Sequence, residues 1–315
     1  MSVRVFDTAA AKAQRDRGRG NHLEHCVADD TGSLTNRSAA LGKLTDSANA
    51  LQPFLRDGIC IGLGGFGLDR KPMALVREIA TAPVRGLTLE TFAGGLDVEA
   101  LLASGKVARI SACHVGLDHF GLAPLFRTAR QSGGVEFEEW SEWTQLAAWR
   151  AAAEKAPYAV VPLDPATDLL KVNPHIIPAP TLFGTAPAFA VRAPTIDIAI
   201  LHAEAVHPDG WALTSGDTYL DPILARAAKR VVVSAERLID DAELERRHRD
   251  VHLIASAVDA VVLAPGGALP GSCLPNHMLD FPAMRRYVEA SAAGASSADL
   301  SAIALSGLDR AGDES

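Results

Sequence analysis

Two adjacent cationic residues, Arg70 and Lys71, closely follow a glycine-rich run, GGFG, that begins at Gly64. Glycine lets the backbone approach a ligand closely, and the start of a helix attracts anions through its free N–H groups and its dipole. Guanidinium and ammonium groups bind carboxylates and phosphates. We therefore expect an anion or acyl-group site, with the N–H groups of Gly64, Gly65 and Phe66 facing an oxygen that gains negative charge. The alternative is that both cations are solvated surface groups.

A second glycine turn, Gly94-Gly95, precedes an acidic residue, Asp97. It follows residues 87–92, whose apolar and β-branched composition predicts a strand. In a parallel sheet the carboxyl ends of the strands share one edge, where ligands usually bind. We expect Gly94, Gly95 and Asp97 to contribute to the same ligand site. The alternative is an ordinary turn between a strand and a helix.

One acidic side chain, Glu142, is a candidate general base. It ends an acidic segment, residues 136–142, between a predicted strand and a predicted helix. A carboxylate can accept a proton near neutral pH where burial raises its pKa. The alternative is that Glu142 only complements the positive N-terminal end of the helix dipole.

Two groups of residues raise the question of a metal site. His202 and Glu204 follow a buried run, and His114, Asp118 and His119 cluster after another. Neither group has a further ligand at the spacing of common zinc sites. We therefore expect no bound metal, a structural or interface role for the first pair, and pocket-lining or surface positions for the second group.

The segment from Gly62 to Gly67 also fits the G-x-G-x-x-G fingerprint of dinucleotide-binding proteins, and Glu90 stands about where a ribose-binding acid is expected. In that fingerprint the third glycine lies inside the helix. Pro72 would then fall deeper in the helix, where proline is disfavoured. The sequence instead favours a separate turn, after which Asp69 caps a helix with Pro72 in its first turn.

The rest of the chain alternates predicted strands with predicted amphipathic helices. This order predicts an α/β fold with an open, mostly parallel sheet that has helices on both faces. Residues 163–191 are rich in proline and predict a long surface excursion, either a lid or a partner contact. By composition we expect a disordered N-terminal extension over residues 1–44, one folded domain over residues 45–290, and a flexible C-terminal tail over residues 291–315.

Bulk properties exclude several classes of function. The net charge of −8 argues against a nucleic-acid partner. The four cysteines show no C-x-x-C spacing and indicate reduced thiols in a cytoplasmic protein. No apolar run approaches the ~20 residues that cross a bilayer, and the N-terminal region lacks the apolar segment of a secretory signal. We expect a cytoplasmic protein with no membrane partner.

Six motifs stand in an order that carries a resemblance to a known family: GLGGFGLDRKPMALV, FAGGLD, SGKVARI, DIAILHAEAVHPDG, VVVSAERLI and VDAVVLAPGGALP. Over residues 45–287 the chain resembles the A (alpha) subunit of the family I CoA-transferases. It is most similar to the A subunit of glutaconate CoA-transferase and to the A subunit of the steroid ring-opening hydrolase. The resemblance implies the open α/β sheet of that family, CoA esters as substrates and no bound cofactor. It also implies that Arg70 and Lys71 hold a substrate carboxylate or a phosphate of CoA.

The resemblance further implies that a catalytic group is missing from this chain. In the family, a glutamate in a Glu-x-Gly motif of the B subunit attacks the thioester and becomes a glutamyl-CoA thioester. No glutamate of this chain is followed two places later by glycine. We therefore expect a heteromeric CoA-transferase in which the B subunit supplies the nucleophile.

Two other functions stay open. The steroid-ring hydrolase branch has a functional glutamate where Glu142 stands, so the resemblance also allows a hydrolase that opens a cyclic CoA thioester with Glu142 as its base. Trp143 stands where that branch would have glycine. A non-enzymatic sensor of CoA esters or sugar phosphates could use a related sheet. A serine hydrolase is disfavoured because the chain has no G-x-S-x-G motif.

Overall fold

The structure, a computed structural model, describes residues 42–181 and 184–305. In chain order the strands of these residues are β1 (Leu44–Thr45), β2 (Cys60–Leu63), β3 (Leu87–Thr91), β4 (Ala93–Gly94), β5 (Val107–Ala112), β6 (His114–Val115), β7 (Glu136–Glu139), β8 (Tyr158–Pro162), β9 (Ile176–Ala179), β10 (Ala188–Arg192), β11 (Ile198–Val206), β12 (Ala212–Leu213), β13 (Val231–Leu238), β14 (Val251–Leu253) and β15 (Ala260–Leu263). The helices are α1 (Ser47–Leu51), α2 (Met73–Thr81), α3 (Leu96–Ala103), α4 (Pro124–Ser132), α5 (Glu142–Ala153), α6 (Leu169–Val172), α7 (Asp221–Ala227), α8 (Asp241–Arg246), α9 (Phe281–Ala292) and α10 (Ser297–Leu305), with short 3-10 turns at Asp118–Phe120, His248–Asp250 and Ala255–Ala257.

The main sheet has the strand order β1-β15-β13-β11-β2-β3-β5-β7, and all neighbours in this order run parallel. Two antiparallel strands extend it, because β12 pairs with both β11 and β14. From β2 the chain builds the sheet outwards to β7, and from β11 it builds the other half. The order therefore reverses between β2 and β11, and ligands of open parallel sheets bind at such a reversal, beyond the carboxyl ends of the strands.

Alternating side chains of the central strands fill two cores, one on each face of the sheet. On β11, Ile198 and Ile200 pack on one side with the α2 residues Met73, Val76 and Ile79. Ala199 and Leu201 point to the other side, where they pack with Trp149 of α5 and Leu224 of α7. A strand buried on both faces needs apolar residues at nearly every position, which β11 has. This confirms the predicted open α/β sheet with helices on both faces.

A second, antiparallel sheet of three strands has the order β8-β10-β9. Its strands β9 and β10 take in eight residues of the proline-rich segment 163–191, so this segment is partly regular; its role as a lid or a partner contact stays a prediction. Pro178 is accommodated because β9 is an edge strand, where a missing N–H breaks no pairing on the open side.

The C-terminal prediction also needs a correction. Residues 291–305, predicted to be the first part of a flexible tail, are helical: α9 continues to Ala292 and α10 follows, with Leu300 and Ala304 buried against the core that contains α3. Arg77 donates from Nε to the carbonyl of Leu305 at 2.6 Å. The prediction for residues 306–315 lies outside the described residues, as does most of the predicted N-terminal extension. At the end of that extension, Lys43 already donates its backbone N–H to Pro208 at 3.0 Å. No helix within the described ranges is long and apolar enough to cross a membrane.

Candidate functional site

The glycine-rich turn after β2 leads into a loop and does not open the helix itself. Helix α2 begins at Met73, and Pro72 is the residue before it. Asp69, the predicted cap, makes no cap bond. Its carboxylate instead accepts hydrogen bonds from the hydroxyls of Tyr219 and Ser272, each at 2.7 Å. The loop is therefore fixed by residues from distant parts of the chain.

The N–H groups predicted to face a thioester oxygen are occupied inside the chain. Gly64 donates to the carbonyl of Ile200 at 3.1 Å, and Phe66 donates to the carbonyl of Asp69 at 3.0 Å. Gly65 donates to Oδ1 of Asp221 at 2.9 Å. The physical reason is that buried backbone donors must be satisfied, and this turn satisfies them within the fold. In the structure these three N–H groups therefore do not point at a ligand, contrary to the prediction.

Two features of the turn explain its sequence. Gly65 has φ +71°, and a Cβ atom there would lie 2.5 Å from the carbonyl oxygen of Asp69. Only glycine fits such a position. The side chain of Phe66 is 40% exposed and stacks on the ring of Tyr219 at 5.4 Å between centroids. Phe66 is therefore the part of the turn that a ligand can reach.

Arg70 lies at the sheet reversal and is 2% exposed. Its Nη1 donates to Oδ2 of Asp221 at 2.8 Å and to the carbonyl of His202 at 3.0 Å, and its Nη2 donates to the carbonyl of Asp217 at 2.9 Å. Burial opposes the charge, but the Asp221 carboxylate raises the pKa of Arg70 above its ordinary value. The alternative of a solvated surface cation is wrong for Arg70, because this side chain joins the loop after β2 to β11 and to the segment that leads into α7.

Lys71 is 1% exposed, so the solvated alternative is wrong for it as well. Its Nζ donates to the carbonyls of Ala93 at 2.7 Å and Gly64 at 3.2 Å. It also lies 3.2 Å from Oδ2 of Asp97, which is fully buried. Lys71 therefore ties the loop after β2 to the loop after β3.

The second glycine turn packs directly on the first, as the sequence predicted for two turns at one edge. Oδ1 of Asp97 accepts the N–H of Gly95 at 2.7 Å. A Cβ atom on Gly95 would lie 2.3 Å from the carbonyl oxygen of Gly67, and one on Gly94 would lie 2.6 Å from Val98. The first of these contacts requires glycine for the two loops to touch, and the second requires it for the turn to pack on its own helix. Contact of these residues with a ligand stays a prediction.

Glu142 is the first residue of α5 and is exposed. Ser141 and Thr144 form a capping box that fixes this helix start. Burial, and next the charge of Glu142, raises the pKa of the Cys113 thiol to about 12. That thiol donates to the carbonyl of Phe92 at 2.9 Å, and the Phe92 ring lies 6.3 Å from that of Phe66. Phe66 follows β2 and Glu142 follows β7, and these strands run parallel in one sheet, so both residues lie at its carboxyl edge. Glu142 lacks the burial that a general base was predicted to have.

The sequence pattern of the coenzyme A transferase family matches residues 44–264. The chain belongs to the coenzyme A transferase family. It is 30% identical over 265 residues to the A subunit of glutaconate CoA-transferase of Acidaminococcus fermentans, covering 78% of this chain and 82% of that protein. It is 35% identical over 249 residues to the cholesterol ring-cleaving hydrolase IpdA subunit of Mycobacterium tuberculosis, covering 75% of this chain and 84% of that protein.

Solved structures agree with this assignment. The crystal structure of glutaconate coenzyme A-transferase from Acidaminococcus fermentans superposes with a TM-score of 0.74 at 30% identity, covering 79% of this chain and 84% of that chain. A variant of the decarboxylase AibA/AibB gives a TM-score of 0.73 at 28% identity, covering 84% of this chain and 98% of that chain. The predicted family is confirmed, as is the predicted similarity to the glutaconate CoA-transferase and ring-opening hydrolase branches.

Glu90 of this CoA-transferase-family chain does not serve as a ribose-binding acid. It is 3% exposed, and Trp149 donates to its Oε1 from Nε1 at 2.8 Å. Burial raises the pKa of Glu90 to about 7. Together with the start of α2 at Met73, this geometry argues against the dinucleotide-binding alternative.

The histidines and acids that the sequence grouped as possible metal ligands have different partners in the structure. Glu204 accepts both Nη atoms of Arg247, at 2.6 and 3.0 Å, and is part of a structural ion pair. Asp118 accepts the N–H of Leu68 at 3.1 Å and so supports the loop after β2. His119 packs against the rings of Phe120 and Phe281. His114 is the first residue of β6 and is exposed.

Sequence reasoning missed Asp221, which holds both the turn and the guanidinium of Arg70. Asp221 is followed by Pro222 at the start of α7, a pattern that is typical of an ordinary helix start. Its partners lie 151 and 156 residues away in the chain, so no local signal identifies it.

Proposed function

We propose that this chain is the A subunit of a two-subunit CoA-transferase, which moves CoA between an acyl-CoA and a carboxylate. The arrangement of the loops at the sheet reversal, together with the missing nucleophile, supports this proposal. The loops after β2 and β3 are held together by buried contacts of Arg70 and Lys71, and Phe66 in the first loop and Glu142 after β7 are exposed. The chain supplies no Glu-x-Gly nucleophile to this site. A partner with this motif would complete the site.

The proposed reaction splits one acyl transfer into two steps. The partner's glutamate carboxylate attacks the thioester carbonyl, which forms a mixed anhydride and releases the CoA thiolate. That thiolate then attacks the glutamyl carbonyl, which gives a glutamyl-CoA thioester and a free carboxylate. The incoming carboxylate substrate reverses both steps and leaves with CoA, so the glutamate is regenerated.

The role of this chain is to shape the acyl side of the site. Phe66 offers an exposed ring at the edge, and the two buried cations fix the loop that carries it. The prediction that Arg70 and Lys71 bind an anionic ligand directly would require the ligand to displace Asp221 or Asp97. Their present contacts favour a positioning role. A positioned ring and a water-excluding wall contribute by orienting the substrate.

An apolar face is available for the proposed partner. Across the sheet β8-β10-β9, Val160 pairs with Ala190 and Ala190 pairs with Ile177. Tyr158, Val160 and Ile177 are 53%, 56% and 57% exposed. Contiguous exposed apolar surface commonly marks a protein interface. We propose that the B subunit covers this face, which agrees with the subunit names of two relatives.

Intact-mass measurement tests the transferase proposal. This chain and a candidate B subunit with a Glu-x-Gly motif are co-purified and incubated with an acyl-CoA, without a carboxylate acceptor. We expect a hydroxylamine-sensitive CoA adduct on the B subunit, none on this chain, and no CoA exchange by this chain alone. A CoA adduct on this chain, or turnover without a partner, would refute the proposal.

A hydrolase of a cyclic CoA ester is the second candidate, and the position of Glu142 favours it. Glu142 is an unburied carboxylate at the site edge, and the IpdA subunit of a ring-cleaving hydrolase is 35% identical. A partner lacking Glu-x-Gly, and loss of hydrolysis in Glu142→Gln, would support this function. Under the transferase proposal Glu142→Gln should still form the adduct on the partner. The sensor function and the cytoplasmic location stay predictions; the free thiols of Cys60, Cys113 and Cys273 are compatible with that location.

A further inference from the structure

A compact group of metal-ligating side chains lies beneath the loop after β2. His202 of β11 and Cys273 of the loop after β15 are fully buried, and Glu236 of β13 is 7% exposed. One ligand atom from each, an imidazole nitrogen, a carboxylate oxygen and the Cys273 sulfur, lies within 4.8 Å of the other two. Three separate elements of the fold converge on this point.

A fourth candidate donor, His277, comes from the same loop as Cys273 and lies outside that group of three. The backbones of Cys273 and His277 exchange two hydrogen bonds, each of 3.0 Å, which fixes the loop as a tight turn. Nε2 of His277 lies 2.9 Å from Oε1 of Glu236. Nε2 of His202 lies 2.8 Å from the same oxygen. Two imidazole nitrogens therefore meet one carboxylate oxygen.

The far sides of both rings face further hydrogen-bonding groups. The hydroxyl of Ser234 donates to the carbonyl of Leu201 at 3.2 Å, so Ser234 Oγ accepts from Nδ1 of His202 at 2.9 Å. Nδ1 of His277 faces the carbonyl of Met278 at 3.4 Å, which can only accept. Both Nε2 atoms face one carboxylate oxygen, and a cation bound there would be held by both rings and the carboxylate.

We propose that His202, Glu236, Cys273 and His277 bind one zinc ion. Imidazole, carboxylate and thiolate are the ligands that zinc takes in tetrahedral sites. Bond lengths of about 2.0–2.3 Å place neighbouring ligand atoms ~3.3–3.8 Å apart. The two nitrogen–oxygen distances would open by roughly half an ångström on binding. The other carboxylate oxygen, Oε2 of Glu236, accepts the N–H of Gly266 at 2.6 Å, which orients the ligand.

The ion would have a structural role next to the site. Ser272, the neighbour of Cys273, donates its hydroxyl to Asp69 at 2.7 Å and accepts the N–H of Arg70 at 2.7 Å through its carbonyl. Fixing Cys273 would therefore fix the loop that carries Arg70. The expectation of no metal considered only ligands close to His202 in sequence, whereas Cys273 is brought in by the fold. This inference does not depend on whether the reaction is transfer or hydrolysis.

Zinc titration of the full chain tests the site. The purified chain is stripped with a chelator and titrated with zinc against a chromophoric competitor. We expect about one zinc ion per chain. Cys273→Ser should weaken binding by more than the ~10–100-fold that loss of a ligand's hydrogen-bonding partner costs. Cys60→Ser, which changes a free thiol outside the cluster, should bind as the unmodified chain does. Affinity should fall as the pH is lowered, because protons compete for the ligands.

Two further measurements keep the test decisive if Cys273→Ser does not fold. Cobalt added to the unmodified chain should give the thiolate charge-transfer absorption of a tetrahedral site. Ser234→Ala, which removes only the partner of His202, should lower zinc affinity ~10–100-fold. Three results would overturn the proposal and leave a hydrogen-bonded cluster. They are binding of clearly less than one zinc ion per chain, a cobalt spectrum without the thiolate band, and equal zinc affinity of the Cys273→Ser and Cys60→Ser variants.

Discussion

Replacing Arg70 by alanine should destabilise the whole chain, because the guanidinium is the counter-ion of a buried carboxylate. Arg70→Ala removes the 2.8 Å bond to Asp221 and the two bonds to the carbonyls of His202 and Asp217. Asp221 then keeps the N–H of Gly65 as a partner but loses its only salt bridge among the described residues. Arg70 also has φ +47°, a backbone conformation that needs support from its surroundings.

The magnitude follows from this geometry. Leaving one member of a buried ion pair uncompensated costs ~3–5 kcal/mol, and the remaining bond from Gly65 favours the lower end. For a chain of this size each kcal/mol lowers Tm by about 2–4 °C, so we expect a decrease of roughly 6–20 °C. Arg70→Lys should fall between, because an ammonium keeps the charge but cannot reach three acceptors as a planar fork does.

Chemical denaturation of the chain and its variants provides the assay, with Arg127→Ala as the matched control. Arg127 is an exposed residue of α4, and its loss should change the unfolding free energy by less than ~0.5 kcal/mol. The double variant Arg70→Met/Asp221→Leu should lose less than the two single changes together, since no buried charge is left unpaired. An Arg70→Ala variant within ~1 kcal/mol of the unmodified chain, with a raised KM for one substrate, would refute the positioning role and support direct anion binding.

Two further predictions concern pH and assembly. Burial raises the pKa of Glu90 from 4.5 to about 7, so its contribution to stability is present below pH 4.5 and is lost as the pH rises through 7. Glu90→Gln should therefore be more stable than the unmodified chain at about pH 8, by a few kcal/mol at most, and about equal near pH 4.5 in urea denaturation; equal stability at both pH values would contradict this. Val160→Glu and Ile177→Glu should each lower the affinity for the B subunit at least ~tenfold, measured by co-purification at graded concentrations. Leu122→Glu, at an exposed site outside the three-stranded sheet, should not change this affinity. Equal complex formation by all three variants would place the interface elsewhere.

The sequence predicted the architecture well where local pattern and tertiary burial coincide. β11 is apolar at nearly every position and is buried at every position. The prediction failed at α10, whose serine- and alanine-rich sequence has little intrinsic apolar pattern. That helix is stabilised by tertiary contact, since Leu300 packs into the core beside α3. Sequence patterns report such contacts poorly because the partner is far away in the chain.

The loops of the candidate site were predicted at the right edge of the sheet, but their internal geometry was not. The two glycine turns were expected at one edge of the sheet, and they lie there in contact. The burial of Arg70 and Lys71 was not predictable, because a cation beside glycines at a predicted helix start normally faces solvent. Their acceptors, Asp221 and Ala93, lie 151 and 22 residues away. Charge pairing over such separations is a property of the fold and leaves no periodic signal.

The burial of both cations has a consequence for how the site can work. Arg70 is 2% exposed and shares three of its N–H groups with a carboxylate and two carbonyls, so its charge does not face a substrate at the edge of the sheet. Under the proposed transferase function, both the charge that meets an acyl-CoA and the Glu-x-Gly nucleophile that this chain lacks would come from another chain. A single partner chain at the edge beside Phe66 and Glu142 would supply both. The buried ion pairs would hold the loop in one conformation for that partner to fit. Buried ionic groups have this role of specifying a single conformation in some proteins, even where they add little stability.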